Sequence, residues 1–210
     1  MVDVAVVDYG MGNLRSVEQA LHKVTPTAVV AVTDDPDVVA KAERVVFPGQ
    51  GAMPDCMREL DARGLRDAVL SAARSKPFLG ICIGLQMLFE HSAEGNLAGL
   101  ALLPGEVVRF PSNMRDAQGA KLKVPHMGWN QVHHGQHPLW NGIAQDARFY
   151  FVHSYYVQPH DVALVQATSD YPQPFVCAVA KDNLFAVQFH PEKSHVAGLK
   201  LLQNFVQWKP

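Results

Sequence analysis

Pro77-Phe78-Leu79-Gly80-Ile81-Cys82-Ile83-Gly84-Leu85-Gln86 reads as a buried strand that stops at a cysteine and turns at once into a helix. An apolar run without alternation suits a strand covered on both faces, as in a parallel sheet between helical layers. Gly80 and Gly84 flank Cys82, and a sharp strand-to-helix turn that lifts a side chain above the sheet edge tolerates only small neighbours. Such an elbow presents a nucleophile, while the free amides of the helix start favour an anion and can hold an oxyanion. The alternative is a small buried cysteine that merely closes a strand, and a partner base has to decide between the two.

Upstream, the same rhythm repeats. Residues 2–8 read as a buried strand, and Asn13 caps a helix running to about Val24. Residues 27–33 form a second strand, after which Asp35-Pro36 supplies a cap and a proline at the first helical position. Residues 44–47 form a third strand closed by Pro48-Gly49-Gln50-Gly51, and 53–75 read as two helical pieces broken at Gly64. The fourth strand, 77–82, feeds a helix expected from about Ile83 to Glu90. Strand–helix alternation of this kind predicts an α/β fold with a mostly parallel central sheet flanked by helices.

Downstream of about Leu103, Pro, Gly, Asn and Gln punctuate shorter β-like pieces at 104–110, 122–133, 148–157, 162–168, 175–180 and 184–189. These predict an additional antiparallel β section in the second half. The last segment, 195–208, places Val196, Leu199, Leu202 and Phe205 at helical spacing, an amphipathic closing helix. No repeat, low-complexity stretch or linker divides the chain, so residues 1–210 read as one domain.

The base comes from the late stretch Phe189-His190-Pro191-Glu192, which follows an apolar run. His190 and Glu192 are two apart, so in extended backbone they point to one side. One imidazole nitrogen then faces Cys82 while the other donates to Glu192, the logic of a nucleophile–base–acid triad. A turn histidine and a solvated acid are the separate alternatives, and the joint occurrence of both motifs at strand ends argues against them.

Composition restricts the rest. Lys and Arg number 18 against 20 Asp and Glu, a net charge of -2, so no basic excess exists to bind nucleic acid. The acidic N-terminal stretch lacks the basic start of a signal peptide, and its apolar run is too short to span a membrane. Cys56, Cys82 and Cys177 show no pairing pattern, which fits a reducing cytoplasmic setting with one nucleophile and two packing residues. His133, His134 and His137 cluster without Cys or acidic neighbours, and read as a solvated loop, so no metal is expected. Gly10-Met11-Gly12 lacks the third glycine of a dinucleotide fingerprint, and no cofactor is expected.

Together, G-x-C-x-G-x-Q at 80–86, P-G-Q-G at 48–51 and H-P-E at 190–192 resemble the class I, triad-type glutamine amidotransferases across nearly the whole chain. The resemblance implies a flavodoxin-like α/β fold. Three further segments, 8–14 (D-Y-G-M-G-N-L), 125–130 (P-H-M-G-W-N) and 150–155 (Y-F-V-H-S-Y), are similar to the subfamily that serves as glutaminase of imidazole glycerol phosphate synthase. The family then implies that Cys82 attacks the carboxamide of L-glutamine, His190 shuttles the proton and Glu192 orients His190. Gly49, Gln50, Gly51 and Ile83 are implied as the oxyanion stretch, although many members carry valine where this chain has Gln50. Gln86, Ser154 and Tyr155 are implied as substrate contacts. Asn13, Trp129, Tyr150 and Lys193 are implied to face a partner subunit, a (β/α)8-barrel cyclase that consumes the ammonia in histidine biosynthesis. For Trp129 a core aromatic is the competing reading. A glutaminase of another pathway, such as pyridoxal phosphate synthesis, and a non-catalytic binding module are the competing functions.

Overall fold

The structure, a computed structural model, describes residues 2–210, so Met1 of the N-terminal stretch lies outside it. The elements run β1 (Val4–Val7), α1 (Leu14–Val24), β2 (Val30–Thr33), α2 (Pro36–Lys41), β3 (Arg44–Gly49), α3 (Met53–Ala62), α4 (Arg66–Ser75), β4 (Phe78–Cys82) and α5 (Ile83–Gln86). They continue with β5 (Phe89–Ser92), β6 (Leu97–Ala98), β7 (Leu103–Arg109), β8 (His126–Gln131), β9 (His133–His134), β10 (Arg148–His153) and β11 (Tyr155–Pro159). The chain ends with β12 (Val165–Asp170), β13 (Pro174–Lys181), β14 (Leu184–Val187) and α6 (His195–Gln207).

The strands order as β2-β1-β3-β4-β14-β13-β11-β7-β5-β6 in the main sheet, with β12 and β9 joined to it through β13. From β2 to β14 every pairing is parallel. Beyond β14 the pairings to β13, β11 and β7 are antiparallel, so the expected architecture is present. The reason lies in the sequence. β1, β4 and β14 are apolar at every position and buried throughout, because helices cover both faces. The helix α1 turns Val17, Ala20 and Leu21 inward, and its cap Asn13 accepts from the Ser16 amide at 3.4 Å. Asp35 caps α2 with Pro36 in the first turn, as its sequence predicts. Strands β8 and β10 form a separate antiparallel ribbon, with Tyr150 opposite Trp129 and His153 opposite His126.

Three expectations are corrected. The helix after Cys82 lasts one turn, Ile83–Gln86, instead of reaching Glu90. Residues 89–92 instead form β5, which pairs in parallel with β7. With so short a helix, little macrodipole accumulates at its start. The stretch 122–125 is not strand: Pro125 has no N–H to give a ladder, and β8 begins after it. In α6 the buried stripe is Gly198, Leu201, Leu202, Asn204 and Phe205, while Val196 stands in solvent at 81% exposure.

The three loop histidines do not share a loop. His133 and His134 lie in β9, with His133 against Asp146 and Asp170 and His134 stacked on Trp140. His137 caps a short 3-10 turn and packs on Phe185 and Trp208. Among the described residues, no group of three His, Cys, Asp or Glu side chains is placed to hold a metal ion, and no helix is long and apolar enough to cross a membrane.

Candidate active site

The ends of β3, β4 and β14 emerge side by side, since Gly49 pairs with Cys82 and Val187 with Ile81. This is the carboxyl edge of a parallel sheet, where ligands of open α/β folds bind. Three stretches far apart in the sequence therefore converge there: 48–51, 82–86 and 188–192.

Cys82 has φ +57° and ψ −112°, a backbone state that a residue with a side chain adopts rarely and at a cost of roughly 1–3 kcal/mol. Close packing fixes it. A Cβ on Gly84 would lie 1.9 Å from the Phe47 carbonyl oxygen, and one on Gly80 3.0 Å from the Ala186 Cβ. The glycines on either side of Cys82 thus let the turn press against β3 and β14. The side chain is directed into a cavity of about 300 Å³ whose wall includes Gln50, Gly51, Ile83, Gln86, Ser154, Tyr155 and His190.

His190 and Glu192 sit on a 3-10 turn started by Pro191, with both side chains 2% exposed. The imidazole Nδ1 meets the Glu192 carboxylate at 2.8 Å. A carboxylate only accepts, so Nδ1 carries a proton and Nε2 is the ring nitrogen left to take the Cys82 thiol proton. Nε2 is buried and has no hydrogen-bond partner in the protein. Burial disfavours charge on this ring, but the neighbouring Cys82 sulfur and the Glu192 carboxylate outweigh it and raise the His190 pKa to about 10. The turn is fixed from outside: a Cβ on Gly198 would lie 1.9 Å from the Pro191 carbonyl oxygen, so α6 packs directly on it.

The Gln86 amide is oriented by two acceptors, the Tyr155 carbonyl at 3.2 Å and Gln188 Oε1 at 3.0 Å. Both of its protons are thereby used, and its Oε1 remains a buried acceptor without a partner beside the cavity. Gln188 Nε2 in turn faces Cys82 Sγ at 3.7 Å. On the opposite wall, Tyr9 donates to the Pro48 carbonyl at 2.9 Å and the Cys56 thiol to the Gln50 carbonyl at 3.5 Å. Burial pushes the Tyr9 hydroxyl well up and the Cys56 thiol to about 11, so both stay neutral donors behind the stretch 48–51. Because a trans peptide sets its N–H opposite its carbonyl, the Gly51 amide faces away from Cys56. Ile83 is the first residue of α5, where an amide has no acceptor inside the helix.

The comparisons with known proteins agree with this geometry. The family model for class-I glutamine amidotransferases matches residues 5–208. The chain belongs to the class-I glutamine amidotransferase family. It is 69% identical over 212 residues to the imidazole glycerol phosphate synthase subunit HisH of Nitrosospira multiformis, with all of both chains covered. It is 67% identical to the subunit of that name from Thiobacillus denitrificans, covering all of this chain and 92% of that one. Among solved structures it is similar in fold to a glutamine amidotransferase, with a TM-score of 0.72, 17% identity and 97% of each chain covered. A glutamine amidotransferase from Thermotoga maritima gives a TM-score of 0.59 at 18% identity, over 91% of this chain and 76% of that one.

In this amidotransferase the eight residues expected at the pocket besides His190 and Glu192 are gathered there, seven of them as cavity wall and Gly49 in register with Cys82. The four expected to face a partner lie elsewhere on the surface or near it. Trp129 is 42% exposed, stacks on His195 at 5.0 Å and meets Tyr150 edge-on at 6.1 Å, so it is no core residue. Lys193 shares the 3-10 turn of Glu192, and Asn13 is exposed at the start of α1. Pro125, Val152 and His153 of the quoted segments complete the cavity wall, and two further residues of the site escape the motif reading. Gln188 is buried beside Cys82, and Glu94 lines the cavity with its carboxylate accepting the Met53 amide at 2.9 Å. A glutamine inside an apolar strand run was a signal for the first; the second sits in a loop without motif. Cys177 is fully buried against the core, as its context predicts.

Proposed function

We propose that the chain hydrolyses L-glutamine to glutamate and ammonia through a thioester on Cys82, and hands the ammonia to a (β/α)8-barrel cyclase subunit in histidine biosynthesis. The observation that carries the chemistry is the pairing of a strained Cys82 with a buried, unpartnered His190 Nε2 in one cavity. The His190 Nε2 takes the thiol proton, Sγ attacks the carboxamide carbon, and the imidazolium protonates the amide nitrogen, which leaves as ammonia when the C–N bond breaks. The same ring then activates water to release glutamate. Glu192 holds the ring in the tautomer that this cycle needs. The amides of Ile83 and of the Gly49-Gln50-Gly51 stretch receive the oxyanion.

The cavity suits the substrate. Gln86 Oε1 and the Glu94 carboxylate are acceptors for an α-ammonium group, and backbone groups of Ser154 and Tyr155 meet the α-carboxylate end. The partner assignment is supported by the relatives, which are named as subunits of imidazole glycerol phosphate synthase and are 67–69% identical along the whole of this chain. The exposed Trp129, with Met127 at 62% exposure beside it, is an apolar surface suited to docking. The cyclase then makes imidazole glycerol phosphate and an aminoimidazole carboxamide ribotide from its own substrate. We place the whole chain, as one domain, in the reducing cytoplasm, in keeping with three unpaired buried cysteines.

The test is a pull-down with this chain as bait, followed by glutamate release with and without the captured partner and its ligand. Capture of the cyclase, with glutamate release that it stimulates, supports the assignment. Full activity of the isolated chain, or capture of a pyridoxal phosphate synthase subunit instead, overturns the coupling. A chain that binds its partner yet releases no glutamate is a binding module.

A further inference from the structure

Two histidines in the most family-specific segments have no part in the chemistry above. His126 and His153 face each other across the ribbon of β8 and β10 and are 4% and 5% exposed. His126 is sandwiched between Phe151 and Tyr171, and the Phe175 ring packs on both imidazoles. Their ring nitrogens are bonded at both ends. His153 Nδ1 meets the Tyr155 carbonyl at 2.7 Å, His153 Nε2 meets His126 Nδ1 at 3.0 Å, and His126 Nε2 meets Asn130 Nδ2 at 3.3 Å.

The direction of every bond is forced. The Tyr155 carbonyl only accepts, so His153 carries its proton on Nδ1 and offers a lone pair at Nε2. His126 must then donate from Nδ1, which leaves its Nε2 to accept from the Asn130 amide. The second Asn130 proton goes to the Asp170 carbonyl at 2.8 Å, and Asn130 Oδ1 accepts the Gln131 amide at 2.9 Å. Each polar atom is satisfied only if both rings are neutral. Burial ensures that, lowering the pKa to about 4 for His126 and about 3 for His153. The chain ends on the carbonyl that also orients Gln86, which leads through Gln188 to Cys82.

We propose that His126 and His153 are positioning residues: a one-way hydrogen-bond relay that sets the Tyr155 carbonyl, and with it the Gln86 amide, and so ties the glutamine pocket to the exposed ribbon strand that carries Trp129. A fully satisfied buried network of this kind admits one arrangement, so displacing β8 at one end moves the acceptor at the other. The inference rests on the glutaminase reading for its functional consequence, though not for its geometry.

Two experiments test it. In the first, the full-length Cys82→Ser chain is labelled with 15N-histidine and titrated with L-glutamine. Both rings show the neutral form with the proton on Nδ1, and glutamine shifts the His126 resonances although that ring lies outside the cavity wall. A proton on Nε2 of either ring, or a response that stops at His153, overturns the relay. The second measures glutamate release by the chain in complex with its partner. His153→Phe raises KM for glutamine about tenfold, with kcat within about twofold, as expected for one lost buried hydrogen bond at a substrate contact. His126→Phe raises KM less, and the double variant is no worse than His153→Phe alone, because the two act in series. Unchanged KM, or additive effects of the two substitutions, contradicts the proposal. Absence of glutamate release by the unsubstituted complex refutes the glutaminase reading, and the tautomers then still decide the relay.

Discussion

The sheet edge around Cys82 and the β8/β10 ribbon hold their functional groups in opposite ways. At the edge, position is set by contact: glycines press the strands and helices together until one backbone state remains, and Cys82 is forced to positive φ. In the ribbon, position is set by bonding: two neutral histidines and an asparagine pass a single direction of donation from surface to pocket. The edge is packed inside the core, whereas the ribbon pairs only with itself and shows Met127 and Trp129 to solvent. A nucleophile needs a fixed place, and steric packing gives it without moving parts. A surface proposed to meet a partner has to be able to shift, and the proposed relay would carry the shift inward.

That contrast breaks most sharply at Cys82, the proposed nucleophile. Cys82→Ser lowers glutamate release by about 10⁴-fold or more while the melting temperature stays put, because the hydroxyl fits the same strained place. Thermal unfolding beside a glutamate assay checks both halves. Gly84→Ala tests the steric side. Its added methyl group would sit on the Phe47 carbonyl, so denaturant unfolding loses about 2–4 kcal/mol. On the ribbon, Trp129→Ala weakens association with the partner by about tenfold or more, with the stability of the isolated chain nearly unchanged. If it unfolds the chain instead, the ribbon is held by packing as the edge is.

The smallest effect is a difference in pH response. His190 has a folded pKa raised to about 10, above the unfolded value near 6.5, so its contribution to stability is full below about pH 6.5 and is lost as pH climbs towards 10. His126 and His153 are depressed, to about 4 and about 3, so their contribution is full above about pH 6.5 and is lost as pH falls towards 4. His137, half-buried elsewhere and lowered to about 4 by desolvation, adds to the acid limb. Melting temperatures across pH then show Glu192→Gln flattening the alkaline limb and His126→Phe the acid one.

The edge was also the more legible region. Unbroken apolar runs, caps such as Asp35-Pro36 and the two glycines around Cys82 are local signals, and they predicted the parallel half and the sharp turn at its edge. What local signals missed depends on distant pairing. β5 took the place of a helix because β7, which starts eleven residues after β5 ends, bonds it, and nothing within 87–92 declares that. Val196 stands outside because α6 is rotated to bring Gly198 onto the Pro191 turn. His126 and His153 occupy inward positions of alternating strands, a polar residue at a core position, but their partnership exists only in the register of β8 with β10.

The central claim is that Cys82, served by His190, is the group that becomes acylated. The direct measurement is peptide mass spectrometry of the complex, acid-quenched during turnover of L-glutamine. The account predicts one glutamyl group on the peptide carrying Cys82, absent when Cys82→Ser or His190→Ala is used. Turnover with that peptide unmodified, or with the group on Cys56, would contradict it.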